Sequence, residues 1–455
     1  MLIGRDEELR LLEESYESEE PQLIVVYGRR RVGKTALVAR LLEGRRAVYL
    51  IARYSEPGLA LADFAEQLEA QGVVRRAPRF RGFGELYRLI ADLGLRLVVV
   101  DEFQRLLRSF DAVEALRENW VLLERAGVML VVVCSPPLIG EIPLRSFGKL
   151  ARIATGKLLL RQLPYRHARL FAEGYPEEER VRAYGVLGGV PGYISLLDPK
   201  KGLRDNVWRL VFSRKAPLRE EPLAVLSYSL REPARYMRIL EAIARGAHTI
   251  GKISLYAGVR RGELMKYMNV LTRGIGLVER RYPLLEEGRR GRARYYLADN
   301  FFRFWFGEVY PRWHLLELER REEAFAEAWR RVEDYAAQAF KDIAREHFGL
   351  MARRGRVEAY SIGAWWGRGV EVDLAALGPG TVYVGEAVWT REPLGEEALR
   401  ALAEKAEHLP FRGRRAYVLY SRAGFAFEAG EGVLLFSLED VARGLAGEGH
   451  VKTGA

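Results

Sequence analysis

The amino-acid sequence predicts an α/β protein that begins with a parallel sheet covered by helices and continues with smaller helical and mixed modules. Apolar runs at residues 23–27, 97–100 and 128–134 alternate with helical periods throughout residues 1–160. That alternation is typical of parallel sheets whose strands are buried on both faces. A glycine-rich loop between the first apolar run and a helical period supports the same class, a P-loop NTPase sheet.

The glycine-rich loop occupies residues 28–35 and has the phosphate-binding pattern G-x-x-x-x-G-K-[ST]. Its glycines let the backbone turn tightly, so that several N–H groups face the β-phosphate of a nucleotide. Lys34 is expected to reach the β- and γ-phosphates, and Thr35 to ligate Mg²⁺. We therefore predict ATP and Mg²⁺ as cofactors. The predicted nucleotide contacts of the loop are Gly28, Arg29, Arg30, Arg31, Val32, Gly33, Lys34, Thr35 and Ala36.

Two carboxylates, Asp101 and Glu102, follow the apolar run at residues 97–100. Asp101 is expected to hold Mg²⁺ through water, and Glu102 to polarise the attacking water as the general base. Alone, such a pair is more often a solvated strand end, but beside a phosphate loop it predicts an ATPase. Lys34, Asp101 and Glu102 form the predicted catalytic set. Ser135, after the third apolar run, either senses the γ-phosphate or is an ordinary turn hydroxyl.

The composition indicates a large protein of several domains. Its 455 residues are 49% hydrophobic and carry a formal net charge of +11. The single cysteine, Cys134, lies in an apolar run, which excludes a disulfide framework and a cysteine metal cluster. No apolar run has the length of a membrane span and no signal peptide is evident, so we expect a cytoplasmic protein. The arginine-rich balance is typical of thermophiles, which weakens net charge as evidence for nucleic-acid binding.

Changes of pattern divide the chain after the ATPase core of residues 1–160. Residues 161–228 contain helical segments separated by turns and predict a helical lid. Residues 229–298 contain three helical periods and two short strands, which predict a winged helix-turn-helix. Residues 299–323 form an aromatic connector, better explained as a buried plug than as a base-stacking platform. Residues 324–455 predict a long helix followed by strands and one further helix.

Four segments of the first half resemble those of a known family. They are residues 4–9, the loop at 28–35, Val-Asp-Glu-Phe-Gln at 100–104, and Gly-Gly-Val-Pro-Gly-Tyr at 188–193. Together they are similar to the archaeal ATPases of the signal-transduction (STAND) branch of AAA-like P-loop proteins. The resemblance implies ATP as the nucleotide and a helical lid that responds to it.

The same resemblance implies roles for residues outside the phosphate loop. Gly4 and Arg5 would lie near the adenine, and Pro191 and Tyr193 would belong to a nucleotide-sensing element of the lid. Arg152 falls where the family has a charged residue between the third strand and the lid, so it is a candidate for contact with the γ-phosphate.

The C-terminal part resembles the uncharacterised domain that often follows these ATPases, which has a restriction-endonuclease-type α/β fold. In an active nuclease of this type an Asp and a Glu hold Mg²⁺, and a Lys two residues after the Glu stabilises the reacting charges. Asp373 and Glu386 match the two acids, but Val388 stands at the lysine position and Lys341 where a helix glutamate is expected. The resemblance therefore implies a degenerate site without nuclease activity. The alternative that Lys341 supplies the missing cation, and so restores activity, stays open.

The predicted winged helix carries candidate contacts to duplex DNA, because a recognition helix reads bases while a basic wing holds phosphates. Such modules also bind proteins. We expect an ATP-hydrolysing regulatory switch that couples nucleotide state to DNA or to a partner, including a second copy of the chain, with no membrane partner. The alternatives are an ATP-dependent nuclease and an ATP-gated scaffold without nucleic acid. The candidate DNA contacts are Arg260, Arg261, Lys266, Arg289, Arg290, Arg292 and Arg294.

Overall fold

The computed structural model describes residues 2–18, 20–108, 110–135, 144–230, 232–286, 289 and 291–446. These residues divide into two compact units. The first comprises the described parts of residues 1–162 together with residues 223–233 and 273–275, and the second comprises the rest. None of the helices in the described ranges is both long enough and apolar enough to cross a membrane.

A five-stranded parallel sheet forms the centre of the first unit, in the order β2-β3-β4-β1-β5. Its strands are β1 (Leu23–Tyr27), β2 (Ala47–Ile51), β3 (Leu97–Asp101), β4 (Met129–Cys134) and β5 (Gly156–Leu159). The helices of this unit are α1 (Asp6–Glu17), α2 (Lys34–Leu42), α3 (Pro57–Ala70), α4 (Phe83–Asp92), α5 (Phe110–Arg125) and α6 (Leu144–Ile153). The predicted parallel sheet is confirmed.

The apolar runs form buried strands because helices cover both faces of this sheet. Leu23 and Val25 of β1 belong to one hydrophobic cluster, while Ile24 and Val26 belong to the cluster on the opposite face. This two-sided burial explains why β1 is a continuous apolar run rather than an alternating one. Since β4 lies between β1 and β3, the carboxyl ends of these three strands meet at one edge, where nucleotide sites of open α/β sheets form.

The segment predicted as a lid is helical, with α7 (Tyr165–Ala168), α8 (Glu177–Leu187), α9 (Pro191–Ile194) and α10 (Leu203–Val207), and α11 (Glu221–Ser229) follows. Its residues 163–222 belong to the second unit, together with the C-terminal part of the chain. The reason is close helix packing. A Cβ atom at Gly185 of α8 would lie 2.7 Å from the carbonyl oxygen of Tyr335, so the small residue lets two helix backbones approach. The sequence predicts a separate lid and gives no signal for this packing.

Three helices and an antiparallel ribbon follow, as predicted: α12 (Pro233–Ala244), α13 (Ile250–Ala257), α14 (Arg261–Asn269), β6 (Val278–Arg281) and β7 (Arg294–Leu297). Thr249 caps α13 through the backbone N–H of Lys252, and Gly258 ends the same helix with a left-handed φ of 67°. Both are standard helix boundaries. The ribbon packs against the C-terminal sheet of the same unit, where the Leu284 N–H donates to the carbonyl oxygen of Ala364 at 2.8 Å.

Five aromatic side chains of the connector are fully buried, as the plug interpretation predicts. Phe301, Phe302, Phe304, Trp305 and Phe306 are all 0% exposed. The connector contains α15 (Asn300–Phe304) and α16 (Trp313–Glu317), and α17 (Arg321–Trp329) begins at its end, before the long α18 (Val332–Arg353). A base-stacking role is therefore wrong for these rings, since a platform needs an accessible aromatic face.

The C-terminal part is a mixed sheet in the order β12-β11-β10-β9-β8. Strands β8, β9 and β10 are antiparallel, and β10, β11 and β12 are parallel. The elements are β8 (Ser361–Gly367), β9 (Val370–Gly378), β10 (Thr381–Val388), α19 (Glu396–Ala406), β11 (Arg414–Ser421), β12 (Val433–Ser437) and α20 (Leu438–Ala446). The prediction of one helix after the strands is wrong, because both α19 and α20 pack on this sheet.

Candidate functional site

The phosphate-binding loop joins β1 to α2, and its backbone requires glycine at both ends. Gly28 has φ 157°, and a Cβ atom there would lie 2.3 Å from the carbonyl oxygen of Leu160. Gly33, which precedes the first residue of α2, has a left-handed φ of 97°. Arg31 is also left-handed at 64°. The loop therefore turns tightly into the N-terminus of α2, where backbone N–H groups favour a bound anion.

Lys34 lies across this loop. Its Nζ donates to the carbonyl oxygens of Gly28 and Arg29, both at 2.8 Å, and the residue is 6% exposed. Burial lowers the pKa of Lys34 to about 8, against the opposing effect of the Asp101 and Glu102 carboxylates. An ammonium held in this position by main-chain oxygens is placed to meet a phosphate that enters the loop. Arg30, Arg31, Thr35 and Ala36 are exposed, whereas Val32 is buried beneath the loop.

Thr35 and Asp101 are brought together as predicted. The Thr35 hydroxyl donates to Asp101 Oδ2 at 2.9 Å, and the Tyr49 hydroxyl donates to the same oxygen at 2.7 Å. The described residues contain no group of three or more His, Cys, Asp or Glu side chains that could hold a metal. The Thr35 hydroxyl of the phosphate loop and the Asp101 carboxylate at the end of β3 nevertheless suit Mg²⁺. This ion takes few protein ligands and completes its shell with water and phosphate oxygens. Nothing in the sequence pattern predicts the contact of Tyr49 with Asp101.

Glu102 is held by Gln104, a residue to which the sequence assigns no role. Gln104 Nε2 donates to Glu102 Oε2 at 2.5 Å, and Gln104 Oε1 accepts from the Ser135 N–H at 2.9 Å. Glu102 has a left-handed φ of 56°, and its own N–H donates to Asp101 Oδ1 at 2.7 Å. Gln104 is 1% exposed, so it connects the end of β4 to the predicted base through a buried amide.

Arg5 supports the back of the phosphate loop. Its Nη2 donates to the carbonyl oxygen of Val32 at 3.0 Å and also contacts the carbonyl oxygen of Arg161, while its Nη1 pairs with Glu8 at 2.7 Å. The side chain is 5% exposed. These contacts engage the guanidinium with protein groups, so its predicted place near the adenine stays a prediction. Gly4 precedes it with φ 64°.

The remaining candidates from the resemblance are Arg152, Pro191 and Tyr193. Arg152 is exposed in the last turn of α6. Pro191 begins α9, and Tyr193 of the same helix is 0% exposed, with its ring 5.1 Å from that of Phe301 and its hydroxyl 3.3 Å from Glu221. The Tyr193 side chain thus packs inside the second unit. Its nucleotide-sensing role stays a prediction.

The candidate DNA contacts fall into two groups. Arg260, just before α14, and Arg261 and Lys266, within it, are exposed. In the ribbon, Glu286 accepts from Arg289 at 3.1 Å and from Arg292 at 2.7 Å. Two of the ribbon arginines thus share one glutamate, and Arg289 nevertheless stays 72% exposed, so the contact of the ribbon with DNA stays a prediction.

The last ribbon arginine faces inward. Arg294 pairs with Glu371 at 2.6 Å and lies 4.8 Å from the ring centroid of Trp366, whose own Nε1 donates to the carbonyl oxygen of Arg292 at 3.0 Å. The predicted contact Arg290 lies outside the described residues. Exposed basic side chains are thus described both on α14 and in the ribbon turn, where Arg289 is 72% exposed.

The C-terminal acids each contact a lysine. Lys341 of α18 lies 2.7 Å from Asp373 Oδ1, and Lys405 of α19 lies 2.8 Å from Glu386 Oε1. Burial and the neighbouring Asp373 raise the pKa of Glu386 to about 7, which Lys405 partly opposes. Val388 ends β10 and supplies no charge. Lys341 thus lies beside Asp373, and Lys405, to which the sequence analysis gives no role, lies beside Glu386.

Two protein families match parts of this chain. Residues 2–197 match a family described as an ATPase domain predominantly from Archaea, and residues 305–402 match a family of archaeal and bacterial proteins of unknown function. An uncharacterized protein of Methanocaldococcus jannaschii is 29% identical over 382 residues, which cover 83% of this chain and 84% of the relative.

Two solved structures are similar at lower identity. The ORC2 protein of Aeropyrum pernix, in ADPNP–ADP complexes, is 17% identical with a TM-score of 0.41, over 70% of this chain and 95% of that chain. A signal-transduction ATPase with a tetratricopeptide repeat sensor from Pyrococcus horikoshii is 15% identical with a TM-score of 0.28, over 78% of this chain and 51% of that chain. By the family matches, residues 2–197 are similar to the archaeal ATPase family, and residues 305–402 are similar to the archaeal and bacterial family of unknown function.

Proposed function

We propose that this protein is an ATP-hydrolysing regulatory switch. The observation that supports the proposal is the contact between Thr35 and Asp101, at 2.9 Å, beside the Lys34 ammonium. This is the arrangement that a magnesium–nucleotide site needs, with a cation for the phosphates and two oxygens for the metal. When bound, Mg²⁺ would be held by Thr35 and Asp101 and would neutralise phosphate charge.

In this proposal, Glu102 accepts a proton from the attacking water, and Lys34 binds the phosphates. Gln104 fixes the direction of the Glu102 carboxylate. ATP binding and hydrolysis then shift the protein between two states. The predicted winged helix that contains α14 binds a partner differently in the two states. We propose duplex DNA as that partner, supported by the exposed Arg260, Arg261 and Lys266.

Two substitutions test the ATPase assignment. Lys34→Ala should abolish turnover and weaken nucleotide binding, because it removes the ammonium of the loop. Glu102→Gln should retain ATP binding and eliminate turnover, because it keeps the shape and loses the base. Turnover and nucleotide affinity are measured on the same preparations. Near wild-type turnover in Glu102→Gln would show that another group is the base.

Salt dependence tests the DNA assignment. Arg260→Ala with Lys266→Ala should weaken duplex binding, and the slope of log affinity against log salt should fall by about one for each phosphate that the protein no longer neutralises. Arg292→Ala is the matched control, since this arginine is paired with Glu286. An unchanged affinity in the α14 variant would exclude this surface.

A further inference from the structure

The second unit contains a cleft of about 880 Å³ that belongs to neither the phosphate loop nor α14. Its walls are formed by the end of α12, by β7, by residues 303–314, by the first half of α18, and by β8 and β9. Asp373 and Lys341 are among its lining residues. The volume falls within the range of about 300–1,000 Å³ that is typical of ligand sites.

Three arginines in the cleft converge on one carboxylate. Asp342 of α18 accepts from Arg345, which also contacts the carbonyl oxygen of Asp373, and pairs with Arg281 at 3.3 Å. Arg303 Nη2 lies 3.8 Å from the same carboxylate. Burial alone would raise the pKa of Asp342, but the three guanidinium groups hold it well below its usual value. The Asp342 carboxylate is therefore shared by three guanidinium groups. A second carboxylate, that of Glu279, pairs with Arg281 only.

Arg303 is the least neutralised of the three. Its side chain is only 12% exposed, and among the described residues its closest ion pair is the 3.8 Å contact with Asp342. Its hydrogen bonds, to Gln338 Oε1 and the carbonyl oxygen of Leu297, are both 3.4 Å long. Burial lowers the pKa of the Arg303 guanidinium, and Asp342 offsets only part of that effect. A buried cation without a close counter-ion favours an anion that can enter beside it.

We propose that this cleft binds a phosphate-bearing ligand whose phosphate contacts Arg303 and the arginines around Asp342. Guanidinium groups present planar pairs of N–H donors, which match the oxygens of a phosphate and form strong charge-assisted hydrogen bonds. Arg312 and Arg331 also line the cleft, but Arg312 pairs with Glu308 and Glu327, and Arg331 pairs with Asp334. The close phosphate contacts are therefore assigned to Arg303 and the arginines around Asp342, and the exposed Arg331 adds only a weaker attraction that salt screens. Such a phosphate is carried either by a single nucleic-acid strand or by a small phosphorylated molecule.

Two probes separate these sources: a short fluorescein-labelled single-stranded oligonucleotide of mixed sequence, and inorganic pyrophosphate as ligand and competitor. Both are measured at low salt on the full chain carrying Lys34→Ala, so that the phosphate loop contributes little. The strand should bind if nucleic acid is the source. Binding of pyrophosphate without strand binding assigns the cleft to a small phosphorylated molecule. Failure of both probes to bind at low salt would overturn the proposal.

Substitutions locate the binding. Arg303→Ala should weaken binding about tenfold or more, the usual effect of losing a hydrogen bond to a charged group. Arg303→Lys, which keeps the charge but loses the paired donors, should fall between this variant and the parent. Arg331→Ala should weaken binding by a few-fold; its side chain is 59% exposed at the cleft wall, so folding is at little risk. Arg400→Ala is the matched control, since Arg400 is 75% exposed outside the lining.

Thermal unfolding of each variant separates loss of binding from loss of fold. If Arg303→Ala does not fold, Arg303→Lys and Arg331→Ala decide the question. Binding that is equal in the parent and in folded Arg303 and Arg331 variants would place the probe elsewhere and overturn the proposal. Because every measurement uses the Lys34→Ala background, the result is independent of ATP turnover.

Discussion

The side-chain amide of Gln104 donates a hydrogen bond of 2.5 Å to the carboxylate of Glu102. Because Gln104 also accepts from Ser135, Gln104→Ala should lower kcat by about tenfold to a hundredfold, the usual effect of removing a supporting partner. Nucleotide affinity should stay unchanged, since Gln104 has no predicted contact with the phosphates. Arg105→Ala, an exposed neighbour, is the control. A loss of affinity equal to the loss of kcat would instead indicate a general collapse of the loop.

Nucleotide affinity should fall as the pH rises through about 8, the pKa to which burial lowers Lys34. The phosphates need the charged lysine, so affinity should drop by at most about tenfold for each pH unit above that value. Titration of ATP binding from about pH 7 to about pH 9.5 checks this. Lys34→Ala should show a flat profile over the same range, and a matching slope in that variant would assign the titration to another group.

The same shift has the opposite sign for stability without nucleotide. The pKa of Lys34 in the folded protein, about 8, is lower than its ordinary value of 10.5, so the unfolded chain binds the proton more tightly. The contribution of this group to the free energy of unfolding therefore rises between these two pH values. Nucleotide affinity and nucleotide-free stability should thus change in opposite directions, and Lys34→Met should remove both effects.

Arg5→Ala should lower the free energy of unfolding by about 2 kcal/mol, because the buried carbonyl group of Val32 and the partly buried one of Arg161 lose a charged donor. ATP affinity should also fall, since the Val32 end of the loop loses its support. Comparison of ATP with GTP separates this role from contact with the adenine. We expect an equal loss for both nucleotides. A loss confined to ATP would show that Arg5 recognises the base.

The wild-type protein should show no Mg²⁺- or Mn²⁺-dependent cleavage of duplex or single-stranded DNA, with or without ATP. Lysines already contact Asp373 and Glu386, and Val388 cannot stabilise the charge that develops during hydrolysis. Radiolabelled substrates detect weak cleavage. Cleavage that disappears in Asp373→Asn would favour the nuclease alternative. If cleavage by the wild type were also lost in Lys405→Ala, but kept in the exposed Lys149→Ala, Lys405 would be identified as the missing cation.

The parts that could be predicted from sequence are those that depend on local pattern and strand order. Lys34, Thr35 and Asp101 are found together because the phosphate loop and the acids follow parallel strands whose carboxyl ends share an edge. The contacts of Tyr49 with Asp101 and of Gln104 with Glu102 could not be predicted, because they depend on how neighbouring elements pack. A tyrosine in β2 and a glutamine after β3 look the same whether or not they reach a carboxylate.

The ribbon shows the same limit. Its two strands and basic turn follow from the pattern, but the partners of its arginines do not. Glu286 lies within the turn itself, and Glu371 is 77 residues from Arg294 in sequence. Charge counted along the chain therefore overestimates the charge that this module offers to a ligand, because ion pairs form in the folded chain and not in the sequence.

The hydrogen bond from Leu284 to Ala364 lies at the outer strand of the C-terminal sheet, since β8 is the last strand in the order. An open outer strand is a template to which other chains can add by backbone pairing, and proteins commonly cover such edges. The segment before the turn of the ribbon covers part of this edge. A fragment that begins after residue 300 would expose it, so we expect that fragment to self-associate even though its sheet is complete.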